Sequence, residues 1–178
     1  MKQIGIGLSM YVGDYNSSFP PAKPEWRDEI MPYLNIEYKT RVQDALKIFN
    51  CPRDEMPRAL STMKKASYAA NAGSNKENKD GVIWDDGGAR LSQIKNFSTL
   101  ICAAEWWYAY DAMGKAGYPY NCIISSHMGH GRLDYGSTTY HNSKGGSNYL
   151  FCDGHVEFVS DPRNAIQWGI LGKYEFSR

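Results

Sequence analysis

Apolar residues near the start of the chain recur at spacings of three and four. Ile4, Leu8, Tyr11, Val12 and Tyr15 fall on one face of a helix over residues 2–16. Gly5, Gly7 and Gly13 each cost such a helix about 1 kcal/mol relative to Ala. It therefore needs tertiary packing or continuation from an upstream segment. Ser17-Ser18-Phe19-Pro20-Pro21 ends it. Residues 25–34 predict a short helix with acidic residues in its first turn, where the helix dipole favours them, and Pro32 limits its length. A further turn or two is expected over Val42–Ile48, closed by Cys51-Pro52. Beyond it the pattern shifts to short runs. Ser67–Asn71, Gly81–Asp85, Ser98–Glu105 and Asn121–Ser126 read as strands between polar and Gly-rich connections. The clearest local signal is the pair of alternating runs Asn148–Cys152 and His155–Val159 around Asp153-Gly154. It predicts a hairpin with a type I′ turn, both central residues at positive φ. Alternation places His155, Glu157 and Val159 on a polar outer face and Val156 and Phe158 on an apolar inner one. Trp168, Ile170, Leu171, Tyr174 and Phe176 in the tail are expected to pack back on the sheet.

A length of 178 residues fits one domain over 1–178. The net charge of +1 and the scattered basic residues argue against nucleic acid or an anionic membrane as partner. Thirteen Tyr and five Trp alongside 17 Gly fit a loop-rich sheet protein covered by flat rings. No run of 18 apolar residues is present to span a bilayer, and no signal peptide is visible. The chain enters its first helical pattern at Met-Lys-Gln without a cap. This predicts a preceding segment that carries the targeting signal. Cys51, Cys102, Cys122 and Cys152 include no Cys-x-x-Cys pair, which argues against zinc-ribbon and thioredoxin-like sites. Four dispersed cysteines fit one or two disulfides in an oxidising compartment. Three full pairings stay open, and buried thiols are the alternative.

Met-Lys-Gln-Ile-Gly-Ile-Gly-Leu-Ser-Met-Tyr at residues 1–11, continuing through Asp14-Tyr15-Asn16 to Phe19-Pro20, resembles the stretch that follows the membrane helix of pilin-like proteins. His141, Gly145–Phe151 and Asp153-Gly154-His155-Val156 resemble a second mark of the same group. That group is the prepilin-like proteins with a C-terminal His-x9-Asp-Gly processing-associated motif, akin to type II secretion pseudopilins. Phe49–Asp54, Ser67–Asn71 and the strand ending at Glu105 resemble its middle landmarks, in family order. One departure is that eleven residues, not nine, separate His141 from Asp153. The resemblance implies an α+β, pilin-like fold, with a truncated N-terminal helix packed on an antiparallel sheet and a C-terminal hairpin. It also implies prepilin-type cleavage and methylation upstream, export to the periplasm or cell surface, and an inner-membrane tether through the missing helix. Other pilin-like subunits would be the partners, through that helix, and the role would be structural and non-catalytic.

Several residues are candidates for chemistry. His127-x2-His130 with Asp134, Asp153 and nearby Glu157 could supply metal ligands, and Asp134, Asp153 and neighbouring carbonyls could offer oxygens to calcium. Against this, the histidines sit among glycines and no Asp-x-Asp-x-Asp run exists. Asp153-Gly154 is already explained by a turn. Trp106, Trp107, Tyr108 and Tyr110 form the best binding candidate. Consecutive aromatics on a strand alternate faces, so some rings should be exposed to stack on a glycan or a protein partner. His155 and Glu157 could form an acid–base pair. Nucleophile-elbow, Walker and dinucleotide patterns are absent. Alternatives to a pilin-like subunit are thus a glycan- or protein-binding module built on the aromatic run and a metal-dependent hydrolase built on the His-rich loop.

Overall fold

A computed structural model describes residues 1–22, 25–36, 47–54, 66–72, 82–84, 87–105, 122–124, 147–159, 166–168 and 174–176. The fold is α+β. An N-terminal helix, α1 (Lys2–Asp14), contacts a sheet whose central four strands are antiparallel. Those strands are β1 (Tyr68–Ala72), β4 (Ile101–Glu105), β6 (Ser147–Phe151) and β7 (Val156–Val159), in that spatial order. The sheet extends past β1 through β2 (Ile83–Trp84) and β3 (Gly87–Gly88). Two of its pairings are parallel, β1 with β2 and β1 with β5 (Cys122–Ile124), so the antiparallel expectation holds for the centre and not for this flank. β8 (Ile166–Trp168) and β9 (Tyr174–Phe176) pair as a separate two-stranded hairpin. How the tail side chains pack lies outside the described residues.

Packing resolves the weakness of the first helix. Ile4, Leu8, Tyr11 and Val12 are all buried, each contributing about 1.5–3 kcal/mol. That outweighs glycine costs of about 1 kcal/mol apiece. Gly5 has a positive role. A Cβ there would lie 2.9 Å from Leu150 Cδ1 and 3.4 Å from the Gly154 carbonyl oxygen. The helix can sit this close to β6 and its turn only without a side chain. Past the helix, Tyr11 stacks on Tyr15 at 4.1 Å and meets Tyr33 edge-on at 6.2 Å. Tyr33 Oη donates to Asp14 Oδ2 at 2.9 Å. The second predicted helix divides as Pro32 requires, into α2 (Trp26–Ile30) and a 3-10 turn at Met31–Leu34.

The hairpin forms where Asp-Gly predicts it, but its turn differs. Only Gly154 has positive φ, at 88°. Gly154 N–H donates to the Phe151 carbonyl (2.9 Å), and Phe151 N–H donates to the His155 carbonyl (3.0 Å). This is a three-residue loop, a type I turn followed by a left-handed glycine bulge. Cys152 belongs to the loop and not to the strand, and that one-residue shift replaces the type I′ turn. Val156 packs toward the core as expected. Phe158 does not. It is 45 % exposed, because β7 is the edge strand and Phe158 stands opposite Asn148 and not opposite a core residue.

Candidate functional site

The segments Phe49–Asp54 and Ser67–Asn71 and the end of β4 lie far apart in sequence, and the fold brings them into one buried polar knot. Ser67 Oγ bonds Asp54 Oδ2 at 2.7 Å and Asn50 Oδ1 at 2.8 Å, and Ser67 N–H donates to the Phe49 carbonyl at 2.8 Å. Asn71 Nδ2 donates to the Ile101 carbonyl at 2.8 Å, tying β1 to β4. Glu105 is 3 % exposed. Its Oε2 accepts both the backbone N–H and the Nδ2 of Asn148, at 2.8 and 3.0 Å. The Cys51 thiol and the Tyr68 hydroxyl hydrogen-bond each other, and the thiol also reaches Glu105.

Arg27 completes the knot from below. Its guanidinium is fully buried, 2.5 Å from Glu25 Oε1, and donates to the Tyr68 carbonyl. It lies 5.3 Å from the Trp26 ring centroid and 5.8 Å from that of Phe49, both within cation–π range. Nothing in Glu-Trp-Arg-Asp-Glu signals this. An Arg beside acidic residues in a short helix reads as a solvated surface cation. The signal that was available is the resemblance of the Phe49 and Tyr68 segments, which turn out to supply its partners.

The electrostatics favour neutral groups. Burial pushes the Cys51 thiol up, with the Glu105 charge adding to the effect, so the thiol stays protonated at neutral pH and is a poor nucleophile. Burial also pushes the Tyr68 phenol up, aided by Cys51 and Glu105, and the Tyr149 phenol up, aided by Glu105. Tyr11 is pushed up to about 12, first by burial and then by the charges of Glu29 and Tyr15. A phenol whose folded pKa is raised lends stability that is complete below about pH 10, its unfolded value. That stability is lost as pH rises through the folded value. The protein is therefore expected to unfold with tyrosine ionisation above pH 10, with loss of far-ultraviolet circular dichroism tracking the rise in absorbance at 295 nm. Tyrosinate appearing near pH 10 with the fold intact would contradict it.

At the hairpin, His155 Nδ1 lies 2.6 Å from Asp153 Oδ1, and the His155 ring stacks on Phe151 at 4.2 Å. Asp153 Oδ1 also accepts the His155 N–H at 3.1 Å. Asp153, Gly154 and His155 thus brace the turn. Glu157 is the weaker neighbour, 3.8 Å from His155 Nε2, beyond hydrogen-bond reach. Trp106, Trp107, Tyr108, Tyr110, His127, His130, Asp134 and His141 lie outside the described residues. Among the described residues, no three His, Cys, Asp or Glu side chains converge as a metal site. No helix among them is long and apolar enough to cross a membrane. Comparison with protein-family models, with curated proteins and with solved structures finds no match.

Proposed function

We propose that this chain is the head of a pilin-like or pseudopilin-like structural subunit. In this reading it is exported, non-catalytic, and tethered to the inner membrane by a helix preceding residue 1, through which it assembles with other such subunits. The observation that carries the reading is the meeting of three landmark segments in one buried network. Cys51, Tyr68 and Glu105 touch one another, and Glu105 holds Asn148 on the strand that leads to Asp153-Gly154. Residues that recur together in a family and meet in a closed, hydrogen-bonded core serve the fold of a head more readily than a reaction. A neutral thiol and neutral phenols fit that role.

The first helix adds support. One side is buried on the sheet, while Ile6 and Met10 on the other side are 57 % and 49 % exposed. Apolar residues turned outward on a helix suit a neighbouring subunit. The test is fractionation of the full native gene product in its host. It is expected in the inner-membrane fraction, released by detergent and retained through a high-salt wash. Recovery as a cytosolic protein would sink the proposal.

A further inference from the structure

Beneath α1 lies a half-open cavity of about 310 Å³, and two cysteines, Cys102 and Cys152, are among its lining residues with Leu8, Val12, Phe97 and Leu150. Strict alternation would send Cys102 to the sheet face opposite its neighbour Ala103. Instead both belong to the core under the helix. The cause is a bulge. The β4–β6 ladder runs Ile101↔Phe151 and then Ala103↔Leu150, leaving Cys102 as the extra residue, and such a residue re-aims its side chain.

The same register fixes where Cys152 stands. Its N–H donates to the Leu100 carbonyl at 2.9 Å, so it lies level with Leu100. Ile101 and Cys102 together oppose Phe151, which puts Cys102 one residue step from Cys152 across the strand gap. A step of roughly 3.3 Å and a gap of roughly 4.8 Å give a Cα separation of about 6 Å. Disulfides span roughly 4.4–6.8 Å between Cα atoms. In a regular ladder, residues offset by one step face opposite sides and cannot be joined. Here the bulge turns both toward the cavity. The two sulfurs are not bonded to each other in this structure.

We propose that Cys102 and Cys152 form an oxidisable pair that closes to a cross-strand disulfide on the cavity floor, locking β4 to β6. The oxidant is a disulfide, either oxidised glutathione or that of a protein thiol oxidase. Cys152, only partly buried, attacks it as the thiolate, forms a mixed disulfide and releases the first oxidant thiol. Cys102 then attacks the Cys152 sulfur and expels the second. The pair loses two electrons and two protons, and the oxidant gains both as two thiols. A compartment that supplies this oxidant rests on the export reading above, while the geometry of the pair does not.

Two arms test the pairing and the compartment separately. In the first, the full chain is refolded from urea in a glutathione redox buffer, which opens the buried thiol to exchange. Remaining thiols are alkylated in denaturant, and peptides are mapped by mass spectrometry without reduction. A peptide linking Cys102 to Cys152 is expected, with a urea midpoint that rises on oxidation in the natural sequence and not in Cys102→Ser. Full alkylation of both, or linkage of either to Cys51 or Cys122, overturns the pairing whatever the compartment. In the second arm the same map is made on protein isolated from its host. Linkage there supports both readings. A reduced pair in the host alongside linkage in the refolded protein leaves the pairing standing and counts against export.

Discussion

Replacing Arg27 with Ala is expected to lower folding stability by about 3–5 kcal/mol, the cost of breaking a buried ion pair from one side. The substitution withdraws the donor from the Tyr68 carbonyl, removes the partner of Glu25, and empties the space between Trp26 and Phe49. Arg27→Met is expected to recover more than half of the loss. Its unbranched side chain refills the aromatic slot, and Glu25, at 14 % exposed, can turn toward water. Equilibrium urea unfolding of the two variants checks both statements, since a stability change at constant slope shifts the midpoint. A midpoint unchanged in Arg27→Ala would mean that the guanidinium is not the tie between α2 and β1 described above.

Glu105→Ala should cost about 3 kcal/mol. Hydrogen bonds to a charged group are worth roughly 1.5–3 kcal/mol, and each buried donor left without an acceptor adds about 1–3 kcal/mol. Asn148 would lose the acceptor of both its N–H and its Nδ2, and the Cys51 thiol would lose a neighbour. Glu105→Gln keeps one acceptor and should cost about half as much. Urea unfolding again reads the effect. The outcome separates a fold role from a chemical one. A carboxylate kept for reaction or ligand binding would tolerate Ala within about 0.5 kcal/mol, whereas the hydrogen-bonded knot predicts a loss several times larger.

How much of this was legible in the sequence depends on the range of the interaction involved. The helix at Lys2–Asp14 and the hairpin at Asp153-Gly154 follow from period and turn chemistry within a few residues. The turn type was not legible, because whether Cys152 ends a strand or opens a loop depends on its pairing with Leu100, fifty residues away. The Ser98–Glu105 run begins as a strand only at Ile101. Asn96 Oδ1 takes the N–H and hydroxyl of Ser98 and holds that stretch in a turn. A side chain that competes locally for backbone donors outweighs β-propensity there.

The candidate site was legible only through resemblance. The Cys51, Tyr68 and Glu105 segments were marked as landmarks, but no spacing rule shows that a thiol, a phenol and a carboxylate would meet. The burial of Arg27 and the bulge at Cys102 are set by long-range packing, which leaves no periodic trace. Gly5 read as a defect in a helix. Its reason, the approach of Leu150 and the Gly154 carbonyl, exists only once the sheet is in place.

The account's central claim, a head continued by a membrane helix, is tested most directly at the amino terminus of the native protein. Intact mass and terminal sequencing of the protein from its host's envelope are expected to show a processed, methylated first residue. About 20 apolar residues should follow and run directly into Lys2-Gln3-Ile4. A mature protein that begins at Met1, unmodified and recovered from the cytosol, would contradict it.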